Sequence, residues 1–148
     1  MSFYSALIHI HSGLRWLVLF FILSVIISSI YQLSRSLCSG KCSTAMNRFA
    51  LIFTHLQFIV GLILYFISEK VRFEAASMKE SLFRFYLVEH IALMVIAIIL
   101  ITIGYFRAKN TTDERKKHKA LVIYFSIALI LILAAIPWPF RGLGAGWF

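Results

Sequence analysis

Acidic residues are scarce in this chain: six Asp and Glu stand against fifteen Lys and Arg in 148 residues. Charged residues of either sign make up only 14%. A soluble domain carries about a quarter, so there is too little charge here to keep a water-facing surface solvated. Cysteine occurs twice, as Cys38 and Cys42, too few for a disulfide framework or a four-cysteine zinc site. Proline also occurs twice, as Pro137 and Pro139, where it ends the last apolar segment. No nucleotide-binding glycine loop, nucleophile elbow or HExxH zinc motif is present. Nothing marks a substrate-specific catalytic centre.

What is abundant is apolar: 61% of the chain is hydrophobic and 16% aromatic, more than a fold of this length can hide from water. Four apolar stretches of roughly twenty residues each match the length that carries a helix across about 30 Å of hydrocarbon. They predict helices over about 3–33, 46–68, 83–106 and 118–136, with no separate soluble domain. The first run lacks a basic n-region and a small-residue cleavage site, so it is expected to be retained. Short connections make neighbours antiparallel, and the expectation is one all-α domain over 1–148, a transmembrane up-down four-helix bundle.

The net charge of +9 does not point to nucleic acid, because the cations are confined to short connections. Those after helices 1 and 3, with Arg48 and Lys119 at their edges, hold nine Lys and Arg, and the remaining loop, with Arg84 at its edge, and the tail hold five. The positive-inside rule puts the two richer connections in the cytoplasm and both termini on the outer, periplasmic side. Cys38 and Cys42 then face a reducing compartment as free thiols. The basic run Arg107 to Lys119 sets topology and meets anionic lipid. The aromatic tail with Trp138 and Trp147 suits the interface.

Small and polar residues recur at heptad spacing. Asn47, Thr54, Gly61 and Ser68 share one face of helix 2, and His90, Ala97 and Gly104 share one face of helix 3. Such stripes let helices approach closely in a bilayer.

Ionisable residues inside membrane segments are costly, and their default reading is functional. The stretch from Leu7 to Trp16 carries His9, His11 and Arg15, and helix 3 carries Glu89 and His90. His11 and His90 each lie about eight residues into their helix, roughly 12 Å below the outer surface. A b-type haem needs imidazoles above and below one iron, so His11 (or His9) with His90 satisfies the depth condition. Arg15, one turn from His11, is placed to hold a propionate or to balance Glu89, and Gly13 and Gly61 offer room for a flat macrocycle. His55, with Gln57 beside it, lies nearer mid-membrane. With His118 it makes a poorer second pair, offset by roughly 13 Å. His118 itself, among lysines, is expected to be solvated or lipid-facing.

The segments HIHSGLRWLVL, LIFTHLQFIVGLILYF, FRFYLVEHIALMVIAI, KHKALVIYFSIALILILAAIPWPFR and GLGAGWF together resemble a family of small four-helix membrane proteins of Bacteroidetes, often labelled "cytochrome B". The resemblance spans essentially the whole chain and implies haem b and a bacterial inner membrane. Its motifs include His9, His11, Arg15, His55, Gln57, Glu89, His90 and His118, and leave Cys38 and Cys42 outside. The leading expectation is a multi-pass inner-membrane haem b protein that passes electrons to or from quinone or a respiratory partner, alone or as a homo- or hetero-oligomer. Two other readings fit the same residues: a non-enzymatic accessory or assembly subunit of a larger membrane complex, and a proton or metal-ion relay through His11, Glu89, His90 and His55.

Overall fold

A computed structural model describes residues 2–35 and 41–147. Those residues are all-helical, and four helices are long and apolar enough to cross a membrane: α1 (Phe3–Arg35), α2 (Lys41–Ile67), α3 (Ser81–Lys109) and α4 (Glu114–Ala135). Cys38 and the side chain of Cys42 lie outside what is described.

Hydroxyl residues do not interrupt these helices, because they return their protons to their own backbone. Ser24 donates to the Phe20 carbonyl, Thr54 to Ala50 and Thr102 to Ile98, at 2.7–2.8 Å. A hydroxyl satisfied within its own helix is tolerated where no water is available.

Helix ends depart from the hydropathy reading where local chemistry overrides it. Helix α4 begins at Glu114, inside the basic run, because the Asp113 side chain caps it by accepting from the backbone N–H groups of Arg115 and Lys116. Glu114 then pairs with Lys117 at 3.2 Å. Its other end is set by Pro137, which holds Ile136 in an extended conformation. Helix α2 starts five residues before Met46, and α3 runs from Ser81 to Lys109 rather than over 83–106.

The Tyr4 hydroxyl meets Ser68 Oγ at 3.1 Å, so the start of α1 lies against the end of α2. His90, in the first third of α3, bonds Ala135 at the end of α4, which lays α3 antiparallel to α4. Helix α4 packs on both α1 and α3, and α1 also packs on α2, whereas α2 and α3 meet sparsely. Ile22, Val25, Ile101, Leu121, Phe125 and Ala128 are fully buried where α1, α3 and α4 converge. Closest approach comes at Gly104, where an added Cβ would lie 2.6 Å from Tyr124 Cβ. Large apolar side chains such as Ile27, Ile59, Phe66 and Ile130 point outward, the arrangement expected when the surroundings are hydrocarbon.

His118 is not solvated or lipid-facing. Only 2% of it is exposed, and neither ring nitrogen has a hydrogen-bond partner among the described residues. Its place on the inner face of α4 outweighs its lysine neighbours, and its Nε2 lies 3.6 Å from Glu114 Oε2, which also pairs with Lys117.

Candidate functional site

The helical repeat of α3 breaks at one place: Phe85–Glu89 is a π-helical turn between a first α turn, Ser81–Arg84, and the regular helix from His90. An extra residue per turn rotates everything after it, and such turns concentrate at functional sites. His90 follows directly. Its Nδ1 lies 2.7 Å from the Ala135 carbonyl, one of the last carbonyls of α4 with no partner within the helix. A carbonyl only accepts, so Nδ1 carries the proton and Nε2 keeps its lone pair.

His11 approaches from α1. Its ring lies against Gly61 of α2, where an added Cβ would be 2.9 Å from His11 Cε1. Its carbonyl accepts a 2.9 Å bond from Gln57 Nε2, which ties the backbone at His11 to α2. The two imidazoles meet edge-on, with ring centres 6.4 Å apart and planes at 68°. His11 Nδ1 is buried without a hydrogen-bond partner among the described residues.

Beside the pair lies a cavity of about 300 Å³. Its walls come from α1 (Tyr4, Arg15), α2 (Thr54, Gln57, Gly61, Tyr65), α3 (Tyr86, Met94, Ala97), Ile132 of α4 and the tail residues Gly144, Ala145 and Gly146. It occupies the half of the bundle where both chain ends meet, inside the sparse α2–α3 seam. Two contacts pin that seam: the Tyr65 hydroxyl donates to the Leu87 carbonyl at 3.0 Å, and Thr102 Oγ1 sits 3.5 Å from His55 Nε2.

Of the residues singled out in the sequence, His11, Arg15, Gln57 and His90 come together around this cavity. His9 does not: two residues from His11, it is turned roughly 200° around the helix and is exposed. His55 places Nδ1 2.8 Å from the Leu51 carbonyl of its own helix and is a seam contact. Among the described residues no hydrogen bond or ring contact joins it to His118. Glu89 is not Arg15's counter-ion. It pairs with Arg84 at 2.9 Å on a half-exposed flank, because the inward turn of His90 carries its neighbour about 100° off the cavity. Arg15 instead donates from Nη2 to the Trp147 carbonyl at 2.6 Å. Gly13 is exposed with nothing near it, so only Gly61 gives room at the site.

Three residues at the site had drawn no attention in the sequence. Tyr4 and Tyr86 read as ordinary aromatics, and Lys70 sits in a mixed-charge connection. Only the paired signs of a mouth-facing lysine and a nearby glycine-rich tail hint at their role. Among the described residues no three His, Cys, Asp or Glu side chains converge, so the arrangement is a two-imidazole one. No family model matches this chain, and no curated protein or solved structure is significantly similar to it.

Proposed function

We propose that the chain is a membrane-embedded b-type haem protein in which His11 and His90 would hold the haem iron, serving as an electron-transfer module for quinone or a respiratory partner. The observation that carries this is the close approach of two imidazoles from different helices. Two imidazoles that would share one metal ion, each through a bond of about 2 Å and with about 1 Å from nitrogen to ring centre, need ring centres about 6 Å apart. The separation here is 6.4 Å.

The remaining chemistry fits. A metal-bound histidine commonly gives its other N–H to a backbone carbonyl, as His90 does to Ala135. His11 makes no such second bond: its Nδ1 is buried without a hydrogen-bond partner among the described residues, at a cost of about 1–3 kcal/mol. Gly61 lets the Cε1 edge of His11 come close to α2, and Met94, Ala97 and Ile132 supply an apolar surround. A haem held there would supply one-electron exchange; the chain's part is to fix both rings, exclude water and place cations at the mouth. The resemblance to small four-helix proteins labelled "cytochrome B" leads the same way.

The Lys and Arg clustered around the α1–α2 and α3–α4 junctions support a bacterial inner-membrane orientation in which those junctions face the cytoplasm and the cavity mouth faces outward. Oxidised and dithionite-reduced spectra of protein purified after haem-replete expression test the reading, together with iron content and the variants His11→Ala and His90→Ala. A reduced b-type spectrum lost in either variant is the expected result. A featureless spectrum without iron would overturn it and leave the pair as a relay.

A further inference from the structure

The tail closes the cavity. After the short helical turn Pro139–Arg141, Gly142 and Gly144 adopt φ of +66° and +63°, a left-handed backbone that glycine takes without strain. These two turns fold Gly144–Gly146 across the mouth, where they line it. The strap is held by its carbonyls from three separate parts of the fold. Arg15 Nη2 donates to Trp147 at 2.6 Å, Lys70 Nζ donates to Gly144, and the Tyr86 hydroxyl donates to Leu143 at 3.0 Å.

Both cations are under-matched in this arrangement. The residues lining the cavity include no Asp or Glu; among the described residues Arg15 and Lys70 lie over the Trp16 and Tyr86 rings at 5.3 and 5.1 Å and hydrogen-bond only to neutral carbonyls, with Arg15 Nε buried and unpartnered. Burial pushes the Lys70 ammonium below its ordinary value, as expected where no acid compensates for lost water. A carboxylate gives such a cation an opposite charge and, for Arg, a paired bidentate geometry that a neutral carbonyl cannot supply. The geometry therefore points to a carboxylate site: we propose that Arg15 and Lys70 grip the acid groups of an apolar-bodied ligand at the mouth, and that the tail is a lid whose carbonyls hold these cations until the acid displaces them. The ligand class is an apolar body that fills the cavity and carries one or more carboxylates. Haem propionates and a fatty acid share that chemistry. Only the haem form of the proposal rests on the reading given above.

Full-length protein in detergent is titrated with haem b and with its dimethyl ester, and separately with oleate and methyl oleate. Amide hydrogen exchange of residues 142–147 is followed in each case. The expected result is about tenfold or tighter binding of a free acid over its ester, faster exchange of the tail when the acid binds, and loss of the preference in Arg15→Gln with Lys70→Gln. Arg15→Lys keeps the preference and separates lost charge from lost folding. If haem binds through both histidines but acid and ester bind alike, the clamp falls and the haem reading stands. If haem does not bind but oleate is preferred to its ester, the clamp stands with a lipid acid and the haem reading falls. A preference that survives the double variant, no preference in either series, or an acid-bound tail that exchanges no faster overturns the proposal.

Discussion

Gly61→Ala tests the geometry where His11 meets α2. The added methyl would sit 2.9 Å from His11 Cε1, about 0.5 Å inside the 3.4 Å at which ordinary van der Waals contact begins. The ring has one way to yield, into the cavity and toward His90, whose ring centre is 6.4 Å away. Metal–ligand distances tolerate departures of about 0.2 Å, so a shift of that size exceeds what two-sided ligation accepts. Stability should hardly register the change. Overpacking costs about 1–3 kcal/mol, and the better helix propensity of alanine returns about 1 kcal/mol of it to α2. The expected outcome is a folded protein with a thermal midpoint within a few degrees of the parent, reduced haem content and loss of the bis-histidine spectrum. Gly13→Ala is the matched control: it adds the same methyl to an exposed position of α1 with nothing within 4 Å and should change neither quantity. If Gly61→Ala keeps the parent's spectrum and haem stoichiometry, the idea that Gly61 seats His11 for ligation is wrong.

Gly104→Ala should act on the fold instead, since its Cβ would meet Tyr124 Cβ at 2.6 Å, an atom fixed to the backbone that cannot swing aside. A loss of about 1–3 kcal/mol is expected in detergent unfolding, with an unaltered spectrum per folded molecule. His118→Leu should raise the unfolding midpoint by about 1 kcal/mol equivalent, because a buried imidazole that makes no hydrogen bond, with Glu114 Oε2 3.6 Å from its Nε2, gives way to an apolar side chain of similar size; a lower midpoint would show that the contact with Glu114 outweighs the burial of the ring. Asp113 is held below the usual carboxylate range by the Lys116 N–H and then the Arg115 N–H. Its depressed folded value means the cap's contribution is full above the ordinary carboxylate range and is lost as pH falls through the lower folded value. Relative to Asp113→Asn, the parent's advantage in thermal midpoint should therefore be present at neutral pH and vanish in acid; an advantage that does not depend on pH would contradict this.

Length and hydropathy are local properties of the chain, and they were enough to read four spanning helices, their approximate ends and the small-residue stripes. The heptad stripes of α2 and α3 were legible because a helix repeats its faces whatever surrounds it. The matched depth of His11 and His90 was legible for the same reason, since rise per residue is fixed. Helix ends were less so: Asp113 starts α4 within a run of cations that hydropathy reads as a loop, because a cap is a side-chain geometry and not a composition. Which face each helix turns inward depends on its neighbours, and here the sequence was silent or misleading. The π turn at Phe85–Glu89 sets the rotation of His90 and sends Glu89 to Arg84, and no periodicity announces it. The inner face of α4 buried His118 despite its lysine neighbours. The choice of His11 over His9 was made by Gly61 and Gln57, some fifty residues away. The tail reads as an interfacial aromatic segment, yet Arg15, Lys70 and Tyr86 draw it over the cavity mouth. The sequence by itself determined how many times the chain can cross a bilayer and at what level its histidines lie, because those follow from residues adjacent along the chain. Only the tertiary structure decided which histidines meet, what each cation touches and where the cavity opens, because these contacts join residues far apart in sequence.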